Sequence, residues 1–307
     1  MANTGLSVAE LCDIVEDYTG EPEGTGIKHV RRGYERFLDA QDPRDYEGYI
    51  WSFLRPMGTL TLYQNAAGTA TGADSGDNTI ITASTFVGND TYAFTPFHVG
   101  ETLTFNSLSV TGFSFTSDTA VTVVDAAGTY QATDKAYSIK HSGIYQLPDD
   151  FGGLLSVPSY TYSSSLSTPP FKMVSRERIQ QEWRYSNSDG KSRLCAIMPI
   201  QTFTATVGQR YGLAVAPRPD ADRVITYFYL KRVDVDALTD SSTTYLLGGP
   251  DHSRTIEMAA LASAELLHTK GKKTVFKGEF REEMISSIER DRLQSTEAPP
   301  TIIDGGL

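Results

Sequence analysis

The sequence predicts an α+β fold, with N- and C-terminal helices forming a helical bundle, a central antiparallel β region and an inserted β domain. Three observations predict it. Apolar residues recur at helical spacing near both ends of the 307-residue chain. Between about Gly58 and Ile144 the composition turns to Thr, Ser, Gly, Ala and Asn, with β-branched and aromatic residues in short runs. From Tyr145 to Leu247 strands continue with longer loops, until Gly248-Gly249-Pro250 returns the chain to helix. The chain thus divides into N-terminal helices at 1–57, an inserted β domain at 58–144, a β-rich core segment at 145–249, a helical hairpin at 250–297 and an extended tail at 298–307.

Leu6-Ser7-Val8-Ala9-Glu10-Leu11 reads as a capping box. Ser7 accepts from the amide of residue 10, Glu10 reaches back, and Leu6 staples onto Leu11. The first helix should stop near Gly20. Ile27, Val30, Tyr34, Phe37 and Leu38 then have the spacing of a second helix. Asp42-Pro43 supplies an N-cap and a first-turn proline for a third, which would present Tyr46, Tyr49, Ile50 and Phe53 on one face.

In the β insert, Thr79-Ile80-Ile81-Thr82 and Ala120-Val121-Thr122-Val123-Val124 are strand runs, separated by turn clusters at Gly88-Asn89-Asp90 and Asp125-Ala126-Ala127-Gly128. Long helices are not expected there. The clearest later strand is Val224-Ile225-Thr226-Tyr227-Phe228-Tyr229-Leu230, introduced by Pro217-Arg218-Pro219-Asp220. Thr255 to His268 is rich in alanine. Phe276 to Leu293 carries Phe276, Phe280, Met284, Ile285 and Ile288 at helical spacing, so two antiparallel helices should join around Lys270 to Thr274. Pro299 and Pro300 forbid any further helix and leave an extended tail with apolar Ile302-Ile303.

The chain is large enough to bury a core without disulfides. Cys12 and Cys195 lie far apart, outside any CxxC or Cys/His cluster, and should be buried, reduced thiols. No run approaches the ~20 apolar residues of a membrane helix. Met1 to Gly20 holds four acidic residues and no Lys or Arg, unlike a signal peptide, so a soluble protein made in the cytoplasm is expected. The formal net charge of −11 argues against a nucleic-acid-gripping surface, although a surface that DNA slides past would tolerate it. Basic residues concentrate in Lys28 to Arg36 and Lys270 to Lys277, each a patch that could touch another subunit or DNA, or simply a solvated face.

The spacings that mark known catalytic constellations are missing. The GxSxG elbow, Walker A loop, GxGxxG and HExxH are absent, and Asp189-Gly190-Lys191-Ser192 lacks the glycine spacing of a phosphate loop. His29, His98, His141, His252 and His268 fall in different elements, without the i, i+3 or i, i+4 spacing of a helical metal face. Adjacent carboxylates at Asp149-Asp150 and Glu282-Glu283 point to different faces and suit capping or solvation better than acid–base work. The expectation is a non-enzymatic chain with no catalytic residues, no metal site and no cofactor.

From Tyr145-Gln146-Leu147-Pro148-Asp149-Asp150-Phe151 onward the sequence resembles the head-to-tail connector adaptor family of tailed bacteriophages. The resemblance runs in order through Leu194 to Ala216, Pro217-Arg218-Pro219-Asp220, the strand Ile225 to Leu230, Leu238, Leu246 and Pro250-Asp251. It continues in the helix Met258 to Leu267 and ends in Phe276 to Ile288. Upstream, Val99 to Phe105 and Gly128-Thr129-Tyr130 also suit it, as does the order of helices before a β region. The order carries the likeness, since no single element is specific.

The resemblance implies a structural neck ring of the virion, usually of twelve copies, assembled after synthesis in the host cytoplasm. Such a ring sits under the portal protein, joins capsid to tail, meets a downstream neck, stopper or tail protein, and lines the exit channel of the genomic DNA without specific binding. It implies a C-terminal extension that clasps the portal, here Pro299, Pro300, Thr301, Ile302, Ile303 and Leu307. Leu147, Pro148, Asp150, Phe151, Pro217 and Pro219 would be structural positions of the family-like motif. The insert at 58–144 is larger than a minimal adaptor needs. The alternative reading is a glycan-binding, decoration or adhesion module of the virion, with Tyr63, Tyr92, Phe94 and Phe97 as stacking rings.

Overall fold

The protein is described by a computed structural model, which covers residues 5–44, 47–76, 78–83, 102–110, 113–117, 120–124, 128–140, 142–161, 171–185, 189–200, 210–270 and 274–295. It is a mixed α+β chain that divides into two compact units, one of residues 1–56 with 229–302 and one of 57–228 with 303–307. Helices from the two ends of the sequence thus share one unit.

In that unit, α1 is Val8–Thr19 and α2 is Ile27–Leu38. The capping box forms: Ser7 N donates to Glu10 Oε2 at 2.7 Å and Glu10 N donates to Ser7 Oγ at 3.3 Å. Gly20, at φ 68°, closes α1 in the left-handed conformation that a side chain would resist. The same unit holds α4, Gly249–His268, and α5, Val275–Gln294; α3, Arg176–Tyr185, belongs to the other unit.

Helix α4 is central. Its residues from Met258 to Glu265 are all buried, which the run of alanines permits because small side chains let neighbouring helices approach from several sides. Gly33 of α2 lies directly against the α4 backbone at Ala259 and Ala260. The buried carboxylate of Glu265 stays satisfied by accepting from the amides of Val275 and Phe276, both at 3.0 Å, at the open start of α5. Glu16 of α1 does the same for the start of α2, accepting from Gly26 N at 2.7 Å. Each helical hairpin is therefore tied by an acid of its first helix.

The third helix expected from Asp42-Pro43 does not form. Asp42 N donates to Glu47 O, Tyr49 N donates to Ala40 O, and the buried Asp42 carboxylate is taken by the Arg44 side chain, which closes a turn. The segment after this turn runs extended into a short 3-10 turn at Ser52–Leu54, and Trp51 and Leu54 are buried with Tyr49, Ile50 and Phe53 packed against the same core. Trp51, outside the expected stripe, is fully buried, stacks on Phe37 at 4.6 Å and donates from Nε1 to Phe37 O at 2.8 Å. An indole that fills the core and satisfies its own N–H overrides a helix that rests on capping alone.

Among the described residues, the second unit carries fifteen strands in three sheets. In chain order these are β1 (Met57–Leu62), β2 (Ala66–Asp74), β3 (Asn78–Ala83), β4 (Thr102–Phe105), β5 (Leu108–Val110), β6 (Phe113–Ser117), β7 (Ala120–Val124) and β8 (Ala132–Lys140). They continue as β9 (Ile144–Gln146), β10 (Phe151–Leu154), β11 (Ser159–Tyr160), β12 (Lys172–Met173), β13 (Leu194–Ile200), β14 (Arg210–Ala216) and β15 (Arg223–Lys231), which runs past the unit boundary.

Seven strands, ordered β5-β4-β8-β2-β3-β7-β6, make one antiparallel sheet over Ala70, Ile81, Leu103, Phe105, Val121, Val123 and Tyr137. The predicted insert holds this sheet, but β1 does not join it: β1 pairs with β15, from Met57↔Phe228 to Leu62↔Arg223. The remaining sheets are β1-β15-β10 with β11 on β15, and β12-β13-β14-β9, where only the β12–β13 pairing is parallel.

Helix α3 departs from the strands expected between Tyr145 and Leu247. It packs Ile179 and Trp183 with Ala196, Ala214 and Ala216, and Trp183 Nε1 donates to Val215 O at 3.0 Å. Its sequence is so polar that only two apolar positions mark its inner face. The available signals were Ser175, whose Oγ accepts from Arg178 N at 3.3 Å, and the Arg178–Glu182 pair one turn apart.

Candidate functional site

The two basic stretches of the sequence meet in the helical unit. Arg36, from the end of α2, and Lys277, from the first turns of α5, line one groove of about 700 Å³, together with Asp39, Gln41, Pro43, Thr274, Gly278, Phe280, Arg281 and Met284. Lys277, Phe280, Arg281 and Met284 occupy positions i, i+3, i+4 and i+7, so one face of α5 supplies a wall and the apolar floor. The opposite wall is the end of α2 and the turn at Asp39 to Pro43.

That turn is pinned to α5 at two heights. Arg281 Nη2 donates to Pro43 O at 2.7 Å, and Arg44 Nη1 pairs with Glu289 Oε1 at 2.7 Å. Arg44 also holds Asp42 through Nε at 2.9 Å and Nη2 at 2.7 Å. The Asp42 side chain is 2% exposed, with Arg292 Nη2 also at 3.5 Å. Hydrogen bonds from Arg44, ahead of the opposing cost of burial, draw its carboxyl down to about 2. Next to it, Asp291 accepts from Tyr49 Oη at 2.7 Å and from Ser52 N at 2.9 Å. The wall is thus a braced loop.

The groove lining carries Arg36, Lys277 and Arg281 against the single acid Asp39. Lys28, Arg44, Arg254 and Arg292 of the same unit all reach carboxylates. Among the described residues, neither Arg36 nor Lys277 lies within ion-pair distance of an acid, and Arg281 meets only a carbonyl. All three are exposed, above a floor of half-buried Phe280 and buried Met284. Such a surface can receive an apolar side chain flanked by negative charge. The sequence marks the two basic stretches separately; it carries no signal for their convergence, which depends on how α2 and α5 pack, and none for Arg281.

The family-like motif is split. Leu147 is buried and donates from N to Tyr211 O at 2.9 Å; Phe151 N donates to Pro148 O at 3.0 Å, and the Phe151 ring lies 5.8 Å from that of Tyr211. Asp150 is half-buried, whereas Asp149 pairs with Arg210 at 2.8 Å. Pro217 and Pro219 lie beyond the other end of β14: the Ala216–Pro217 bond is cis, Pro219 is buried, and Ser192 Oγ donates to Pro217 O at 2.7 Å. Six residues of strand, roughly 20 Å, separate Tyr211 from Pro217, so the motif brackets a strand and forms no common site. Pro299, Pro300, Thr301, Ile302, Ile303 and Leu307 lie outside the described residues, as do Tyr92, Phe94 and Phe97. Tyr63 is half-buried and its carbonyl accepts from Tyr145 Oη at 3.0 Å.

Both thiols are buried, and burial is the main reason that Cys12 is pushed up to about 11 and Cys195 up to about 12. His29 and His252 are buried, and desolvation lowers both below the usual imidazole value. Among the described residues, no group of three or more His, Cys, Asp or Glu side chains is placed to hold a metal ion, and no helix is long and apolar enough to cross a membrane. No family model matches the chain, and comparison with curated proteins finds no match.

Proposed function

We propose that this chain is a non-enzymatic head-to-tail adaptor of a tailed bacteriophage, forming a ring under the portal that joins capsid to tail and lines the DNA exit channel. The observation that carries the reading is the groove between α2 and α5: an open surface with an apolar floor and three exposed cations suits docking of a partner. On this reading α1, α2, α4 and α5 act as a helical bundle built from both chain ends, and the β strands between them present further contact surfaces. The ordered resemblance from Leu147 through α5 supports the same reading.

The ring is of about twelve copies by that resemblance, it leaves the passing genome unbound, and it offers a platform to the next neck, stopper or tail protein. Pro299, Pro300, Thr301, Ile302, Ile303 and Leu307 are the proposed portal contacts; a proline-stiffened segment loses little entropy on docking. The test is co-sedimentation of the purified chain with portal protein. Association, weakened by truncation after Ala298 with the fold intact, is expected. Failure of the two to associate would sink the proposal, and unchanged co-sedimentation of the truncated chain would remove the tail from it.

A further inference from the structure

We infer that β1, Met57–Leu62, is an open sheet edge at which two copies of this chain pair antiparallel, Thr59 against Thr59, into one continuous sheet. The inference goes beyond the adaptor reading and does not depend on it.

The open edge follows from where the backbone of β15 points. Phe228 O accepts from Leu155 N at 2.9 Å, Phe228 N donates to Ser156 Oγ at 2.9 Å, and Val224 O accepts from Thr161 N at 3.0 Å. These groups are turned away from β1. In the unbroken register from Met57↔Phe228 to Leu62↔Arg223, the bonds between the two strands therefore fall on Gly58, Leu60 and Leu62. The N–H and C=O groups of Met57, Thr59 and Thr61 point outward, and among the described residues they meet no hydrogen-bond partner. Natural sheet edges carry charges, prolines or bulges that discourage pairing; the strand Met57-Gly58-Thr59-Leu60-Thr61-Leu62 has none of them.

Self-complementarity selects a second copy as the occupant. About a two-fold axis through Thr59, Met57 falls opposite Thr61 of the partner subunit, and the two Thr59 residues face each other. Each of these pairs exchanges both of its bonds, so every outward group on both strands is used. Any other register leaves one outward position over. Residues directly opposite share a face of the sheet, so exposed Thr59 gains a cross-strand threonine pair. On the other face, half-buried Leu60 comes opposite Gly58 of the partner subunit. A Cβ at Gly58 would stand 2.7 Å from the Tyr227 ring, which lies over it. Leu60 thus meets an aromatic ring across a position without a side chain, and the contact repeats on the far side of the axis. The strand is uncharged, so the pairing sets no like charges in register although each chain carries −11. An isologous contact closes at two copies, whereas contacts round a ring are heterologous; the pair therefore belongs to the free chain.

The test is sedimentation velocity of the full chain across a range of concentrations, without portal. A monomer–dimer equilibrium is expected. Thr59→Pro removes only an outward N–H and leaves the ladder to β15 intact. It should weaken dimerisation at least about tenfold by deleting both central bonds. Thr59→Lys, which sets two ammonium groups side by side at the axis, serves as a second variant, and circular dichroism checks that both remain folded. Val224→Lys charges the exposed face of the same sheet away from the edge and should leave the dimer unchanged. Thr59→Cys should cross-link two copies under mild oxidation. A hydrogen-bonded pair holds its α-carbons about 5.5 Å apart, within disulfide range, and the native Cys12 and Cys195 are buried.

A chain that stays monomeric at every concentration would overturn the inference. So would assembly indifferent to Thr59→Pro and Thr59→Lys, or a Thr59→Cys variant that stays uncross-linked. Equal loss of the dimer with Val224→Lys would also overturn it, marking face-to-face packing of the sheets instead. Portal is absent from the assay, so failure here leaves the adaptor proposal standing, and loss of portal association leaves this result standing.

Discussion

A methyl group added at Gly33 would lie 2.5 Å from the Ala260 amide nitrogen and 2.6 Å from both the Ala259 carbonyl carbon and Ala260 Cα. Non-bonded carbons rest at about 3.5–4.0 Å, so Gly33→Ala must drive α2 and α4 apart by roughly 1 Å. A gap of that size forfeits about a quarter to a half of each contact along the seam, and overpacking of this kind costs about 1–3 kcal/mol. The better helix propensity of alanine returns about 1 kcal/mol. The expected outcome is a net loss of up to about 2 kcal/mol. Gly278 in α5 provides the opposite case, because a Cβ there meets nothing within 4 Å; Gly278→Ala should stabilise by about 0.5–1 kcal/mol. The assay is denaturant unfolding monitored by far-ultraviolet circular dichroism, whose helical signal comes mainly from this unit. If Gly33→Ala leaves the midpoint unchanged or raises it while Gly278→Ala raises it, the close crossing of α2 and α4 is wrong.

Glu265→Ala should expose the Val275 and Phe276 amides and cost about 2 kcal/mol; hydrogen exchange at these two amides should accelerate, and unchanged exchange would contradict the capping role. Asp42, held low by Arg44, contributes stability that is complete above its unfolded value near 4 and is lost as pH falls towards about 2. Discounted for the 42% exposure of Arg44, this is about 1–2 kcal/mol, and Arg44→Ala should flatten acid unfolding in that window. His252 is enclosed by Trp51 at 4.9 Å and by Phe37 and Phe53 at 5.8 Å, with Asp291, Asp251 and Arg290 as its charged surroundings. Burial lowers its folded value, so the unfolded chain binds the proton more readily and stability should fall as pH drops below about 6.5. His252→Phe should remove part of that slope in thermal melts, and an unchanged slope would refute the assignment.

The elements legible in the sequence were those whose signal is local. The capping box at Ser7 and Glu10, the glycine at position 20, and the apolar stripes of α2 and α5 each report on their own helix, and each helix formed where expected. Two local signals misled. Asp42-Pro43 has the chemistry of a helix start, yet Trp51 gains more by filling the core against Phe37 than a short helix gains from its cap. The polar face of α3 hid a helix whose two inner anchors, Ile179 and Trp183, have meaning only beside β13 and β14. The groove lies further from sequence reach, since Arg36 and Lys277 are 241 positions apart and come together because α2 and α5 both pack on α4. The motif from Leu147 to Pro219 was legible as an order of residues, while its placement at opposite ends of β14 was not.

The most direct measurement of the central claim is electron microscopy of the purified chain mixed with portal protein. The adaptor proposal predicts class averages in which a second ring, sharing the portal axis and of about twelve subunits, sits on the tail-facing side of the portal. Portal rings that remain bare at saturating concentrations of folded chain would contradict it.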